Sequence, residues 1–383
     1  MRFFTGSVTV LIVIAVLVGM NFYIARNVYR WLTLVFPGIS FRVYIVVYLL
    51  LAVSLVVGFM PLPAFIKSAI SLVSSYWMGL SIYLFLFLFA SDVVILLGKL
   101  VHIIPSPIPS DVMFFKGLAA CALAAGVLCY GLYNANQVRF TSYDISIGAK
   151  EMQDELKIIL ISDLHLGSHN AERNLVKVIE GVNSLEPDVV CIAGDIFNDA
   201  IDTLADPERV MNLFKSIETV YGVYASIGNH DGGRKFDEIA EFLTESGVKL
   251  LLDDYDTIDG RFIIVGRVDR SPIGGLDITR NESLEAILPT QENNLPVIVM
   301  DHNPARIDEY GSEADLIVAG HTHRGQLFPG NLITNAMYSV HYGHYQKDVS
   351  SPHVIVTSGA GTWGPPIRVG SNNEIVCILV ASG

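Results

Sequence analysis

Five stretches in the last two thirds of the chain combine Asp, His and Asn side chains with glycine. They are Asp163-Leu164-His165, Gly194-Asp195, Gly228-Asn229-His230-Asp231, His302 and Gly320-His321-Thr322-His323. The donors are carboxylate oxygen, amide oxygen and imidazole nitrogen, with no thiolate. That mixture suits manganese, iron or zinc in an open, reactive site and is wrong for a structural zinc finger. Any one motif alone is weak, because a glycine at a strand end also marks a turn. Their joint order is the signal. The four cysteines, Cys121, Cys129, Cys191 and Cys377, form no CxxC pair or disulfide framework and read as small buried hydrophobes.

Positioning these residues needs strands. Short apolar runs at residues 158–162, 189–193, 223–227, 297–300 and 316–319 each end directly before, or two residues before, one of the motifs. Helical patterns follow the first three, near 172–183, 207–220 and 236–246. This rhythm predicts helices packed on a largely parallel sheet. A hairpin over 257–268, turning at Asp259-Gly260, and strands at 354–357 and 375–380 supply a second sheet. In an open α/β sheet, ligands bind beyond the carboxyl ends of the strands. Five separate stretches would then deliver their side chains to one rim.

The series resembles the calcineurin-like metallophosphoesterases. The longer run Gly320-His321-Thr322-His323-Arg324-Gly325-Gln326, with Ser358-Gly359, Arg368, Gly370 and Glu374-Ile375, is similar to the bacterial YkuE/YaeI-type branch. The resemblance covers about residues 157–380 and implies an α/β metallophosphoesterase domain, two packed β-sheets flanked by helices. It implies two divalent metal ions, one held by Asp163, His165, Asp195 and His323. The other would be held by Asp195, Asn229, His302 and His321, so that Asp195 bridges. It implies His230 as the catalytic histidine, oriented by Asp231. No ligand position departs from the family pattern. Metals ~3.5–4 Å apart clamp the attacking and leaving oxygens of an in-line displacement and generate the nucleophile from water at neutral pH. Other residues are weaker candidates. Arg324 directly follows a ligand, and its guanidinium matches phosphate geometry. Asn170 is a second phosphate candidate, and Asn198-Asp199 lies just past the bridging Asp. His169 reads as the start of a helix or a rim residue; the pair His341 and His344 reads as a solvated loop, with substrate contact as the alternative, and His353 lies after the last ligand motif.

The first third of the chain is different. The protein has 383 residues, 51% hydrophobic and 16% charged, too apolar for an ordinary soluble protein. Through Gln137 there are seven basic residues and two acids, leaving 18 basic and 36 acidic residues for the remainder. An acidic catalytic part argues against a nucleic-acid partner. Apolar runs at 8–24, 43–60, 70–97 and 114–132 predict four membrane spans, and three runs after the first argue against a signal peptide. A four-span transmembrane domain over 1–135 is expected, followed by the catalytic domain over 136–383, with an edge strand at 137–147. Four spans ahead of such a domain are similar to the transmembrane metallophosphoesterases. Asp92 falls late in the third run, where the helix meets the headgroups, and no ionisable residue is expected beside it. Arg26, Arg30, Arg42, Lys99 and Lys116 on one side, against Arg2, Lys67, Arg139 and Lys150 on the other, put the catalytic domain outside the cytoplasm.

The expected function is hydrolysis of a phosphate ester or pyrophosphate bond at the membrane, with manganese as the leading metal. The lipid bilayer and a phosphorylated, lipid-linked substrate are the expected partners. The alternative is a phosphodiesterase or phosphomonoesterase of soluble substrates whose spans only anchor it. A transporter or sensor is disfavoured, because the spans show no paired charges or repeated Gly/Pro breaks.

Overall fold

The computed structural model describes residues 2–57, 64–148, 155–167, 171–198, 201–281, 283–288 and 295–383. His169, Asn170, Asp199 and Lys150 lie outside them. The chain divides into two compact units, Met1–Gly131 and Leu132–Gly383.

The first unit is helical: α1 Arg2–Val35, α2 Phe41–Val57, α3 Ala64–Leu100 and α4 Ser110–Ala135. Among the described residues, two stretches are long and apolar enough to cross a membrane, Ala69–Leu100 and Ser110–Ala135; Phe41–Val57 is apolar but has 17 residues. The helices carry apolar side chains outward, including Val43, Leu50 and Val56 at 64, 68 and 66% exposure. Helix α3 has 37 residues, about 55 Å of helix, longer than one hydrocarbon layer of ~30 Å.

Asp92 is not isolated. Lys116 Nζ lies 2.5 Å from its Oδ1, with the lysine side chain 5% exposed. Tyr23 donates to Asp92 Oδ2 (2.5 Å), and Lys116 also donates to Asn27 Oδ1 (2.7 Å). One cluster therefore ties α1, α3 and α4 together, and it overturns the expectation of spans without paired charges. Four-residue spacing puts Tyr23 and Asn27 on one face of α1. Lys116 is thus a buried partner rather than a loop charge. Its removal leaves four basic residues on each side, so the charge count no longer favours either orientation. Asp92→Leu leaves Lys116 buried without its counter-ion and is expected to destabilise the helical unit by about 2 kcal/mol, below the ~3–5 typical of a fully buried pair because Asp92 is 40% exposed. The double substitution Asp92→Leu with Lys116→Met should recover most of that loss in thermal unfolding of the detergent-solubilised protein; equal Tm values for all three proteins would contradict the pairing.

The second unit holds β1 Val138–Ile147, β2 Leu156–Ile161, α5 Ala171–Ser184, β3 Val189–Ala193, α6 Pro207–Lys215, β4 Val223–Ser226, α7 Phe236–Glu245 and β5 Val248–Leu250. Beyond these come β6 Asp254–Ile258, β7 Phe262–Gly266, β8 Val297–Met300, β9 Leu316–Ala319, α8 Gly330–Met337, β10 Gly343–Tyr345, β11 His353–Val356 and β12 Asn373–Ser382. They form two six-stranded sheets, ordered β1-β12-β2-β3-β4-β5 and β10-β11-β9-β8-β7-β6. Both are mixed: β2 to β5 run parallel, while β12 is antiparallel to β2. The sequence rhythm had suggested one parallel sheet from all five motif strands. Instead β8 and β9 pair with the β6–β7 hairpin and β11, and β12 inserts beside β2. Helix α6 ends at Lys215, short of the expected 220, and the Ser216 N–H and hydroxyl satisfy carbonyls of its last turn.

Burial follows the two-residue period of a strand. Ile158 and Leu160 pack with Ile298, Met300, Leu316 and Val318 of the other sheet. Ile159 and Ile161 face the opposite way, onto Leu175, Val178 and Leu243 of α5 and α7. Each such side chain contributes roughly 1.5–3 kcal/mol on burial. A strand buried on both faces reads as a continuous apolar run, which is why 158–162 was legible. Cys191 and Cys377 join these cores, but Cys129 is exposed, contrary to expectation.

Candidate metal centre

Every motif lies just beyond a strand end. Asp163 follows β2, Asp195 follows β3, Asn229 follows β4, His302 follows β8 and His321 follows β9. The two sheets contribute adjacent ends, so the five stretches reach one place. The backbone there is strained: Asp163, His165, Asp195, His321 and His323 have φ of 54, 47, 51, 68 and 48°. Left-handed conformations at non-glycine residues cost energy, of order 1–3 kcal/mol where sparsely populated, and gather where function demands an odd side-chain direction. Close approach, beyond turn formation, requires three motif glycines: a Cβ on Gly194 would meet the Gly228 backbone and His302 Nδ1. A Cβ on Gly228 would collide with Asp195 Oδ1, and one on Gly320 with Ser162 Oγ and Asp163 Oδ2. Gly228→Ala is therefore expected to push the Asp195 carboxylate aside and weaken metal binding by roughly 10- to 100-fold, the range seen when a ligand loses its support. Titration of the purified variant with Mn²⁺ measures this; unchanged affinity would mean that the loop shifts freely.

Donor atoms converge in three overlapping groups, each within 4.8 Å: Asp163, His165 and His323; His165, Asp195 and His230; Asp195, His302 and His321. His165 links the first two and Asp195 the last two. His323 Nε2 stands 3.2 Å from Asp163 Oδ1 and 3.1 Å from His165 Nε2. His302 Nε2 stands 3.2 Å from Asp195 Oδ2 and 3.3 Å from His321 Nδ1. Nitrogens facing nitrogens at such distances need a cation between them or a proton to share. Asn229 Oδ1 is buried without a hydrogen-bond partner, which costs ~1–3 kcal/mol unless a ligand takes it. His302 Nδ1 lies 2.8 Å from Ala193 O. With Nδ1 donating its N–H there, the Nε2 lone pair turns to the centre, the arrangement typical of a metal-binding histidine. The residues present fit a pair of divalent cations.

The electrostatics agree. Burial, eased by His302 and reinforced by Asp195, pushes Asp163 up to about 6. Burial drives His165 down to about 3 and His321 to about 4, with His302 adding to the shift of His321, and it drives His323 well below the ordinary histidine range. Burial opposes charge on Asp195 and His302 as well, but each holds the other charged: Asp195 falls below the usual carboxylate range and His302 rises above the usual imidazole range. The neutral imidazoles of His165, His321 and His323 beside buried carboxylates form a cation-binding environment.

His230 lies on the mouth side of this cluster. Its backbone N–H donates to Asp195 Oδ1 (2.8 Å), and its ring is 5.0 Å from that of His165 and 6.1 Å from that of Trp363. Asp231 does something other than orient the His230 ring. Its carboxylate accepts from the N–H groups of Phe197 (2.9 Å), Gly228 (2.8 Å) and Ile196 (3.3 Å). It fastens the loop carrying Asp195 to the loop carrying Asn229, and among the described residues it makes no hydrogen bond to the imidazole. Burial, with Asp195 nearby, pushes it up to about 7.

Sequence reasoning missed several supports. Ser162 Oγ donates to Asp163 Oδ2 (2.7 Å). Arg368, fully buried, donates to Gly361 O (2.6 Å) and His323 O (3.3 Å), and its Nη2 is 3.3 Å from His323 Nδ1. Burial lowers its pKa to about 10, so it stays charged at neutral pH. Glu374 accepts from Thr357 Oγ1 and from Ser358 N–H, pinning the loop that passes Asp163. Both had surfaced only as tail residues of the family pattern; a lone Arg and a lone Glu among apolar and glycine residues were the available signal. Arg324 stacks on Tyr342, 4.1 Å from the ring centre. His344 is a strand residue of β10 rather than a loop residue, and its ring lies 2.9 Å from that of His353, the first residue of β11. His341 offers its carbonyl to Thr322. Asn198 donates its backbone N–H to Leu166 O.

Residues 156–325 match the family model described as calcineurin-like phosphoesterase. Over that stretch the chain resembles a calcineurin-like phosphoesterase domain, and the clustered Asp and His donors fit a metal-dependent one. An uncharacterized metallophosphoesterase of Campylobacter jejuni is 32% identical over 244 residues, and the chain spans 62% of that relative's length. YkuE of Bacillus subtilis, a metallophosphoesterase, is 28% identical over 70% of this chain and 96% of its own. A Danio rerio transmembrane protein with a metallophosphoesterase domain is 28% identical over 332 residues, 81% of this chain and 74% of its own. That alignment is longer than the 132–383 unit, so it reaches into the helices.

Proposed function

We propose that the protein is a membrane-anchored dimetal phosphoesterase acting on a phosphate ester or pyrophosphate carried by a lipid or held near the bilayer. One observation carries this reading: the donor groups form three overlapping clusters, linked in turn through His165 and Asp195. Asp163, His165, Asp195 and His323 would hold one metal, and Asp195, Asn229, His302 and His321 the other, with manganese the first choice and iron or zinc compatible. When bound, such a pair supplies Lewis acidity and an activated water. The protein's own part is positional. Asp195 spaces the two sites while its Oδ1 fixes the His230 backbone. His230, on the rim, gives a proton to the leaving oxygen or stabilises charge on the phosphoryl group. Arg324, presented by the Tyr342 ring, reaches for a phosphate oxygen.

The membrane part of the proposal rests on the outward apolar side chains of the helices, on two stretches of spanning length, and on the similarity to a transmembrane relative. We take all four helices as spans. A soluble substrate with the helices as simple anchor is the competing reading. Full-length protein with Mn²⁺, screened against lipid phosphates, nucleotide diesters and aryl phosphates, separates the two. Preferred hydrolysis of lipid phosphates is expected. Turnover confined to soluble esters would favour the alternative, and no turnover of any class would refute both.

A further inference from the structure

Helix α8 has an unusual surface for a water-facing element. Leu332, Ile333 and Met337 are 58, 60 and 69% exposed, Phe328 just before it is 49% exposed, and no residue of the helix is buried. Solitary exposed apolar residues are ordinary, whereas a cluster marks a contact surface. From Gly325 to Gln346 the chain contains no Asp, Glu, Lys or Arg. The segment therefore lacks the charged rim of a protein interface and the cations that a nucleic acid requires.

This surface is continuous with the metal centre. Tyr338, directly after α8, has its ring 6.1 Å from that of His321. Gln326, three residues past His323, exchanges hydrogen bonds with the backbone of Trp363 and Pro365. Phe328 N–H donates to Val369 O (2.7 Å). Trp363, 46% exposed, meets the His230 ring on its other side. An apolar lip thus begins at the residues around the metal centre and runs outward along α8.

We infer that α8, with Phe328 and Trp363, docks onto the acyl layer of a lipid surface, so that a phosphate at headgroup level meets the metal centre. The inference rests on the membrane-bound reading above, because the helical unit is what would keep the chain at a bilayer. Short apolar helices that lie in the interface behave in this way, and Trp favours that depth.

The test uses the full-length protein in lipid nanodiscs containing phosphatidic acid. Photoreactive benzoylphenylalanine replaces Leu332 or Met337 and, as control, Val220, which is 69% exposed and precedes β4 at the end of the sheet away from the metal centre. After illumination, lipid adducts at 332 and 337 should exceed those at 220 by roughly tenfold, as expected of side chains held among acyl chains. Equal adduct yields at the three positions overturn the docking. In parallel, Leu332→Ser with Ile333→Ser and Met337→Ser should lower the ratio of phosphatidic acid to aryl phosphate turnover about tenfold; an unchanged ratio also counts against it. Adducts without any hydrolysis of phosphatidic acid by the wild-type protein would leave the docking standing and remove the lipid phosphate as substrate. Hydrolysis without adducts would do the reverse.

Discussion

Asp195→Ala is expected to remove both metal occupancy and turnover. Its carboxylate sits between both donor sets: Oδ2 faces His302 Nε2 at 3.2 Å and His165 Nε2 at 3.7 Å, and Oδ1 accepts from His230 N–H. Alanine would leave four imidazoles around a space with one carboxylate, Asp163, that burial has already pushed up to about 6. Disturbing the support of a ligand costs ~10- to 100-fold in metal affinity, and deleting a shared ligand should cost more than that for both ions. Turnover should fall below detection. The fold should survive, because the apolar layers on either side of β2 and β3 do not involve this carboxylate. Metal analysis beside a circular-dichroism spectrum checks both statements, and a variant with full metal and full rate would refute the bridging role.

His230→Ala should behave in the opposite way, with both metals retained and most of the turnover lost. The hydrogen bond of His230 to Asp195 comes from its backbone, which alanine preserves. Its ring joins one donor group but lies at the mouth, beside Trp363. A positioned acid of this kind is worth about 10²–10⁴ in rate. The loss should be in kcat, and it should shrink for substrates whose leaving group needs no proton, such as nitrophenyl esters. Loss of metal in this variant would make His230 a ligand and contradict the assignment.

Much of the site was legible because each ligand follows a strand that is apolar on both faces, as at Ile158–Ile161 before Asp163. The partition of the strands was less so. Nothing local distinguishes β8 from β3, since both are short apolar runs followed by a polar ligand. Only the pairing of β8 with β7 and β9, set by long-range packing, assigns it to the second sheet. The role of Asp231 was hidden for a similar reason. Adjacency to His230 suggested a side-chain partner, whereas the tight turn points the carboxylate back at the Gly228 N–H of its own loop and at the Ile196 and Phe197 N–H groups of the Asp195 loop. The Asp92–Lys116 pair joins residues on two different helices, which a reading of single apolar runs does not connect.

The central claim is that seven side chains from five loops hold two cations together. Elemental analysis of the full-length protein, loaded with Mn²⁺ and then freed of unbound metal, tests it directly. Two metals per chain, falling toward zero in Asp195→Ala and unchanged in His230→Ala, is the predicted result. One metal or none per wild-type chain under replete conditions would contradict it.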